Sequence, residues 1–259
     1  LETGEELLTL NGHRKSVNAV AVTSDGKRAI SGSRDNTLKV WHLETGEELL
    51  TLNGHLAFVS AVAVTEDGKR AISSSRDNTL KVWNLETGEE LLALDSHHKS
   101  VNAVAVTEDG KRAISGSADT TLKVWNLETG EQLFTLNGHS DSVNAVAVTA
   151  DGKRAISGSR DNTLKVWNLE TGEELFTLNG HSSSVNAVAV TEDGKRAISG
   201  SDDNTLKVWN LQTGEVIASF TGESPISCCA LATDGVTIVA GEASGRVHFL
   251  RLEGMEASP

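Results

Sequence analysis

The sequence predicts an all-β fold built from a repeated four-stranded antiparallel unit, and three observations lead to that prediction. The segment 31–41, a polar turn between apolar residues that ends on Trp41, recurs at 73–83, 115–125, 157–167 and 199–209, always 42 residues on. All five tryptophans of the chain end one of these copies. No stretch shows the apolar period of about 3.6 residues that marks an amphipathic helix. A constant period of this length indicates one continuous stack or ring of repeats rather than separate domains.

Each predicted strand follows from a local pattern, seen first in the opening repeat. Residues 5–10 form a short apolar stretch after a turn that contains glycine. The segment 17–22 is apolar on both alternating faces, as expected of a strand that lies between two neighbouring sheets. An Asp-Gly turn then leads to a strand over 28–33, and a second polar turn leads to a strand over 37–41.

The same order of elements returns along the chain, at 43–84, 85–126, 127–168 and 169–210. A sixth unit, 211–251, is degraded and shows only three strands. Four short strands in about 40 residues are typical of a β-propeller blade, which buries its faces only by packing on its neighbours. The sequence therefore predicts a β-propeller of four-stranded antiparallel blades.

The two ends of the chain predict how this ring closes. Residues 5–10 form an outer strand without a preceding three-stranded unit, whereas 211–251 lacks a fourth strand. Pairing the two would complete the last blade and close a ring of six blades, which removes exposed sheet edges. We then expect one domain over 1–252, a C-terminal tail over 253–259 and a monomeric ring. Part of a seven-bladed ring or a ring closed by a partner, with oligomers if the ring is open, is the alternative.

Charge and cysteine content narrow the classes of function. The formal net charge is −13, so the surface repels phosphates, and we expect no nucleic-acid partner and no binding to acidic membranes. The two cysteines, Cys228 and Cys229, form no disulfide framework and indicate a reducing, cytoplasmic location. No apolar run approaches the roughly 18 residues of a membrane span. Because the chain begins at Leu1, halfway into a repeat, we expect it to be cut from a longer protein.

The repeated residues resemble the WD-repeat β-propeller family along essentially the whole chain. The motif Gly12-His13, followed by Ser31, Asp35 and Trp41 at fixed offsets, carries this resemblance. In that family the Asp accepts hydrogen bonds from the His and the backbone, the Ser links the same network, and the indole N–H of the Trp ends it. The resemblance thus implies structural tetrads at His13, Ser31, Asp35, Trp41; His55, Ser73, Asp77, Trp83; His97, Ser115, Asp119, Trp125; His139, Ser157, Asp161, Trp167; and His181, Ser199, Asp203, Trp209. The sixth unit has Glu223, Ala240, Ser244 and Leu250 at these positions, and no network is expected there.

The His, Ser and Asp of each tetrad also permit a catalytic interpretation. A hydrolytic triad needs an accessible hydroxyl and an oxyanion pocket, whereas this trio recurs five times and is expected to be buried between strands. We therefore expect no enzyme and no catalytic residue. The histidines outside the tetrads, His42, His98 and His248, show no ligand spacing, so neither a metal nor a cofactor is expected.

Propellers of this family usually bind partners on the face where the strand-linking loops surround the central channel. Three positions per repeat are expected to reach it: the third and fifth residues after the tetrad His, and the residue before the tetrad Asp. The candidate partner-binding residues are Phe58, Arg76, Arg34, Arg160, Asn18, Asn102, Asn144, Asn186 and Asp202. Phe58 beside Arg76 is the predicted hot spot, because aromatic and Arg side chains dominate interface energetics. The alternative is that Phe58 packs on its own blade.

The last unit also resembles the C-terminal closing repeat of bacterial multidomain signalling ATPases of the apoptosis-regulator type, through 221–229 and 241–254. That resemblance implies a sensor or autoinhibitory propeller. The sequence predicts a non-catalytic scaffold or sensor that binds a protein or peptide, in the C-terminal part of a larger cytoplasmic signalling protein. The fourth and fifth repeats differ at only four of 42 positions, which leaves a structural or engineered array without a dedicated ligand as the alternative.

Overall fold

A computed structural model describes residues 6–95, 97–232 and 234–253 of the chain. The chain divides into two compact units, Leu1–Val101 and Asn102–Pro259. In the first unit the strands are β1 (Val17–Val22), β2 (Arg28–Ser33), β3 (Thr37–His42), β4 (Glu48–Asn53), β5 (Val59–Val64), β6 (Arg70–Ser75), β7 (Thr79–Asn84) and β8 (Glu90–Asp95).

The strands of the second unit follow the same pattern, and the first of them begins at the unit boundary. They are β9 (Val101–Val106), β10 (Arg112–Ser117), β11 (Leu122–Asn126), β12 (Gln132–Leu136), β13 (Val143–Val148), β14 (Arg154–Ser159), β15 (Leu164–Asn168), β16 (Glu174–Leu178), β17 (Val185–Val190), β18 (Arg196–Ser201), β19 (Thr205–Asn210), β20 (Val216–Thr221), β21 (Ile226–Leu231), β22 (Thr237–Glu242) and β23 (Val247–Arg251).

The described residues form six sheets, each with its strands in sequence order. Five sheets have four strands (β1–β4, β5–β8, β9–β12, β13–β16 and β17–β20), and the sixth has three, β21–β23. The paired strands run antiparallel. The all-β prediction with repeated four-stranded antiparallel sheets is confirmed, and these sheets are consistent with propeller blades.

Polar turns set the register between the second and third strand of each sheet. In the first sheet the residue in the left-handed region is Asn36, at φ 74°, and Asn is tolerated there better than most residues. The third sheet has Thr120 at the same place and the same φ of 74°. A β-branched residue is strained in this region, so the repeat keeps its register at a local cost.

Within each unit, neighbouring sheets pack face to face through fully apolar clusters. In the first unit Leu38 and Val40 of β3 and Leu52 of β4 pack against Val59 and Trp83 of the second sheet, and each is at most 1% exposed. The second unit repeats this arrangement twice. Each tryptophan in these clusters lies on the face of its sheet that packs against the preceding sheet. A sheet of this kind is apolar on both faces, which explains why its inner strands lack polar alternation.

Two further features join the first two sheets. Gly32 on β2 allows their close approach, because a Cβ at this position would lie 2.5 Å from Cγ1 of Val59. The guanidinium of Arg28 donates hydrogen bonds to the carbonyls of Gly68 at 2.8 Å and Leu85 at 3.0 Å. The same two bonds run from Arg112 in the second unit, at 2.8 Å each. The sheets are therefore joined by polar contacts as well as by burial.

The prediction of an outer strand over 5–10 needs correction. Residues 6–10 form no strand ladder in the described part of the chain, and residue 5 lies outside it. Leu8 and Leu10 nevertheless lie against Gly46, as Leu50 and Leu52 lie against Gly88. The segment thus contacts the following sheet as a fourth strand does, but without three strands of its own to pair with.

Two apolar side chains of the last sheet are exposed among the described residues. Val247 and Phe249 on β23 are 57% and 70% exposed, whereas their counterparts Leu38 and Val40 are fully buried. Leu250 stands where the other sheets have tryptophan, and an apolar cavity of about 180 Å³ lies beside it. The closing of this sheet by the N-terminal segment stays a prediction. Residues 1–5 and 254–259, which the predicted domain and tail include, lie outside the described residues.

Candidate functional site

The residues predicted as tetrads come together as linear hydrogen-bond chains inside their sheets. In the fourth repeat Nε1 of Trp167 lies 2.8 Å from Oγ of Ser157, which lies 2.7 Å from Nε2 of His139. Nδ1 of His139 lies 2.7 Å from Oδ2 of Asp161. The first, second and fifth tetrads show the same three contacts, at 2.7 to 2.9 Å. In the third, the indole of Trp125 donates to Ser115 at 2.9 Å.

The protonation of this chain follows from its partners. Burial lowers the pKa of His139, more than the neighbouring carboxylate of Asp161 raises it, so the imidazole is neutral near pH 7. The carboxylate can only accept, so Nδ1 of His139 carries the proton and Nε2 accepts from the hydroxyl of Ser157. That hydroxyl oxygen in turn accepts the indole N–H of Trp167. Every donor in the chain therefore has one acceptor.

The aspartate at the end of each chain also holds the turn between the second and third strands. Oδ2 of Asp161 accepts the backbone N–H of Ser140, and Oδ1 accepts both the N–H and the hydroxyl of Thr163. Burial alone would raise the pKa of Asp161, but the hydrogen bonds from Thr163 and His139 outweigh it, so this pKa is lowered. The carboxylate is thus ionised and joins three segments of its repeat.

This geometry serves to fasten the sheet and not to attack a substrate. The side chain of Ser157 is fully buried, and its oxygen is occupied by the indole N–H. A nucleophilic serine needs an accessible hydroxyl beside its base, with donors for an oxyanion next to it. The tetrad serine offers no such access.

The last repeat carries a different network, and the expectation that it has none is wrong. Glu242, buried at the end of β22, accepts hydrogen bonds from the hydroxyl of Ser244 at 2.7 Å and from the backbone N–H of Glu223 at 2.9 Å. Nε2 of His248 lies 3.0 Å from the same carboxylate, and Oγ of Ser224 lies at 3.4 Å. The hydrogen bond from Ser244, with those from His248 and Glu223, lowers the pKa of Glu242 to about 2. A glutamate therefore replaces the tetrad aspartate from a neighbouring position.

The four candidate asparagines lie between sheets, where their amide groups are engaged. Nδ2 of Asn18 donates to the carbonyl of Val59, the first residue of the next sheet, at 2.9 Å. The equivalent amide donates to the carbonyl of Val143, Val185 or Ile226, at 3.0 to 3.3 Å, from Asn102, Asn144 and Asn186. These asparagines therefore hold adjacent sheets together, which explains why their identity hardly varies along the chain.

Phe58, by contrast, lies among cations in the first unit. Nζ of Lys15 is 5.7 Å from the centroid of the Phe58 ring, and Cζ of Arg34 and Cζ of Arg76 are each 5.9 Å from it. Phe58 is half-buried and the three cations are exposed. The neighbouring Leu56 is 88% exposed. The structure thus brings Phe58, Arg34 and Arg76 together, and adds Lys15 and Leu56, which the sequence analysis did not select.

Backbone hydrogen bonds hold this arrangement in place. The N–H of Arg34 donates to the carbonyl of Ser16, and the N–H of Arg76 donates to that of Phe58. Nε of Arg34 lies 3.3 Å from Oδ1 of Asn18, whose amide binds the second sheet. The name "Phe58 surface" is used below for Lys15, Arg34, Leu56, Phe58 and Arg76.

The remaining two candidates lie in the second unit and lack an aromatic neighbour of this kind. The N–H of Arg160 donates to the carbonyl of Ser142, which takes the place of Phe58 in that repeat. Oδ1 of Asp202 accepts the amide of Asn186 at 2.7 Å. Equivalent positions in the repeats therefore carry opposite charges and different partners.

The described residues also bear on metal, membrane and thiol sites. They contain no group of three or more His, Cys, Asp or Glu side chains suited to a metal ion. They also contain no helix with the length and apolar character needed to cross a membrane. Cys228 is exposed, whereas burial raises the pKa of Cys229 to about 12, so the Cys229 thiol is unreactive.

Comparison with known proteins agrees with these repeats. The family described as WD domain, G-beta repeat matches residues 4–42, 46–84, 88–126, 130–168 and 172–210. A ribosome biogenesis protein, the WDR12 homologue of Caenorhabditis briggsae, is 53% identical over 38 residues, which is 15% of this chain and 8% of that relative. The match covers so little of the relative that it shows a shared repeat and says nothing about the role of the whole relative. With five matched repeats over most of its length, the chain belongs to the WD40 repeat family.

Proposed function

We propose that this chain is a non-catalytic module that binds a protein or peptide partner through the Phe58 surface. WD repeat proteins are typically interaction scaffolds, and in this chain the tetrad serines are buried in fastening networks. The observation that carries the proposal is the loop 56–58, Leu-Ala-Phe, where the other four repeats have Arg-Lys-Ser, His-Lys-Ser, Ser-Asp-Ser and Ser-Ser-Ser. An exposed leucine and a half-buried phenylalanine among arginines form the kind of anchor on which interface energetics depend.

We further propose that the module is the sensor part of a larger cytoplasmic signalling protein. The resemblance of the last unit to the closing repeats of signalling ATPases supports this proposal, together with the two unpaired cysteines. The net charge of −13 favours a protein partner over nucleic acid or an acidic membrane.

A structural repeat array without a dedicated ligand is the second candidate, and the near-identity of the repeats favours it. The fourth and fifth repeats differ at four of 42 positions, which leaves little divergence for distinct pockets. The two candidates differ in what they expect of the Phe58 surface. An array needs none of its exposed residues, whereas a binding module loses its partner when they change.

Affinity capture with the full chain tests the choice. A Phe58→Ala, Arg76→Ala variant should bind the captured partner roughly 30-fold less tightly or weaker still, since the loss of even one anchor residue costs about 2 kcal/mol. Arg160→Ala is the matched control, because it removes an arginine from the same position of a repeat that has Ser142 in place of an aromatic. Equal capture by the original chain, the double variant and the control would reject the Phe58 surface as the binding site.

A further inference from the structure

Resting on the proposed function, we infer that the Phe58 surface takes an acidic peptide segment in which carboxylate side chains flank an apolar one. The inference concerns the chemistry of the partner. It is drawn from the positions of three cations, from the absence of ion pairs to them among the described residues and from the apolar side chains beside them.

The three cations come from three different loops and converge on one ring. Lys15 lies in the loop before β1, Arg34 in the turn between β2 and β3, and Arg76 in the turn between β6 and β7. Each charged group is within 5.9 Å of the Phe58 centroid. At physiological salt the screening length is about 8 Å, so an anionic group bound beside this ring is attracted by all three charges.

No carboxylate of the described residues forms an ion pair with any of the three. The side chain of Arg34 contacts the amide oxygen of Asn18, and neither Lys15 nor Arg76 has a side-chain hydrogen bond or ion pair there. The acids adjacent in sequence, Asp35 and Asp77, direct their oxygens inward to His13, His55 and the neighbouring threonines. On a chain with 36 acidic and 23 basic residues, these three cations nevertheless converge on one aromatic ring.

The apolar part of the surface indicates a peptide and not a small anion. Leu56 is 88% exposed on the loop that also carries Phe58, and its backbone is held by a hydrogen bond from its N–H to Asp77. An inorganic anion would use the cations and leave Leu56 in water. A segment with an apolar side chain between carboxylates covers Leu56 and Phe58 and pairs the cations at the same time.

The second unit shows how different the equivalent positions are. The third residue after the tetrad His is Ser142 or Ser184 in the last two complete repeats, and the residue before the tetrad Asp is Arg160 or Asp202. Asp141 takes the place of Lys15 in the fourth repeat. The same scaffold therefore carries a basic and apolar surface in one repeat pair and a polar, partly acidic one in another.

Fluorescence anisotropy with synthetic peptides tests the inference on the full chain. The probe is a short labelled peptide that alternates glutamate with leucine and phenylalanine, compared with versions that have glutamine or phosphoserine in place of glutamate. We expect the glutamate peptide to bind and to weaken as salt is raised, and the glutamine peptide to bind at least about tenfold less tightly. Arg34→Glu and Arg76→Glu should each weaken the binding of the glutamate peptide by about tenfold or more. Lys153→Glu, at an exposed residue of the second unit that is no candidate for partner binding, should leave its affinity unchanged.

Three results would overturn the inference. Equal binding of the glutamine and glutamate peptides would show that the carboxylate charge of the peptide does not contribute to binding. An equal loss with Lys153→Glu would indicate that the peptide responds to the net charge of the whole protein and not to a local site. Much tighter binding of the phosphoserine peptide would indicate that the Phe58 surface binds phosphate groups and not carboxylates. Far-UV circular dichroism of each variant checks that these exposed substitutions leave the fold intact.

The outcomes that would contradict the acidic ligand differ from those that would contradict the proposed function. If a natural partner is captured in a Phe58-dependent manner but is neither weakened by salt nor displaced by the glutamate peptide, the proposed function stands and the acidic ligand is wrong. If capture is independent of Phe58 and Arg76, the proposed function is wrong as well.

Discussion

Replacing Ser157 by alanine removes the central atom of one tetrad and little else. The hydroxyl oxygen lies between Nε1 of Trp167 at 2.8 Å and Nε2 of His139 at 2.7 Å, and the side chain is fully buried. Alanine keeps the Cβ, so the packing of the strand is nearly unchanged. What remains is an indole N–H without an acceptor and an imidazole nitrogen without a donor.

The expected loss follows from those two groups. A buried polar group that loses its hydrogen bond costs about 1 to 3 kcal/mol, so Ser157→Ala should lower the free energy of unfolding by roughly 2 to 6 kcal/mol. The loss should act first on the fourth sheet, because each repeat contacts only its neighbours. It should appear in urea denaturation as a lower midpoint and in NMR as faster exchange of the Trp167 indole proton.

Ser140→Ala is the control for this measurement. Ser140 is exposed, and its backbone N–H, which the substitution retains, makes the bond to Asp161. Surface changes of this type stay within about 0.5 kcal/mol. If Ser157→Ala also stayed within that range, the tetrad would not fasten the sheet and its assignment would be wrong.

Three further predictions concern strain, an unsatisfied hydroxyl and acid. Thr120→Asn should raise the free energy of unfolding by about 1 kcal/mol in urea titration, because Asn adopts the φ of 74° with less strain than threonine; no gain would argue against strain there. Ser74→Ala should stabilise by about 1 kcal/mol, since the buried hydroxyl of Ser74 has no hydrogen-bond partner; a lower melting temperature would show that it has one. Stability should fall on acidification below about pH 6.5, as His139 and His181, with lowered pKa values, are protonated first in the unfolded chain. It should fall again below about pH 4, where Asp161 and Asp203, whose folded pKa values are also lowered, lose their contribution. A flat stability profile between pH 7 and pH 3 would contradict both assignments.

The repeat strands could be predicted because their signals are local. The segments 17–22 and 28–33 coincide with β1 and β2, and 37–41 falls one residue short of β3. In each case an Asp-Gly or Asp-Asn turn bounds the strand and sets its pairing with the neighbouring strand. The segment 5–10 has the same local pattern, but a strand also requires a partner, and sequence pattern does not supply one.

The two clusters that the sequence did not reveal depend on contacts between distant segments. Glu242 lies two residues after Ala240, the position that the tetrad pattern selects in the last repeat. Its role becomes visible only when Ser244 and His248 are placed around it. A buried glutamate on an otherwise apolar strand was the available signal, because a carboxylate is buried only with partners.

The position of Lys15 shows the same limit on the exposed side. Lys15 and Phe58 belong to different repeats, and their proximity depends on how the first sheet packs against the second. That packing is in turn held by Asn18, whose amide bonds the carbonyl of Val59. Asn18, which the sequence analysis assigned to partner binding, therefore helps to position the neighbouring Arg34.

Most of the repeated polar residues hold the sheets together, so selectivity for a partner can arise at only a few positions of these near-identical repeats. The tetrads and the asparagine links are satisfied within the described residues, so they have little left to offer a partner. The positions free to differ are those after the tetrad His and the one before the tetrad Asp, and they differ most between the second and fifth repeats. Phe58 with Arg76 in one and Ser184 with Asp202 in the other give equivalent backbone positions opposite charge and polarity. A partner that binds through these side chains meets one distinct surface, even though the buried networks recur along the chain.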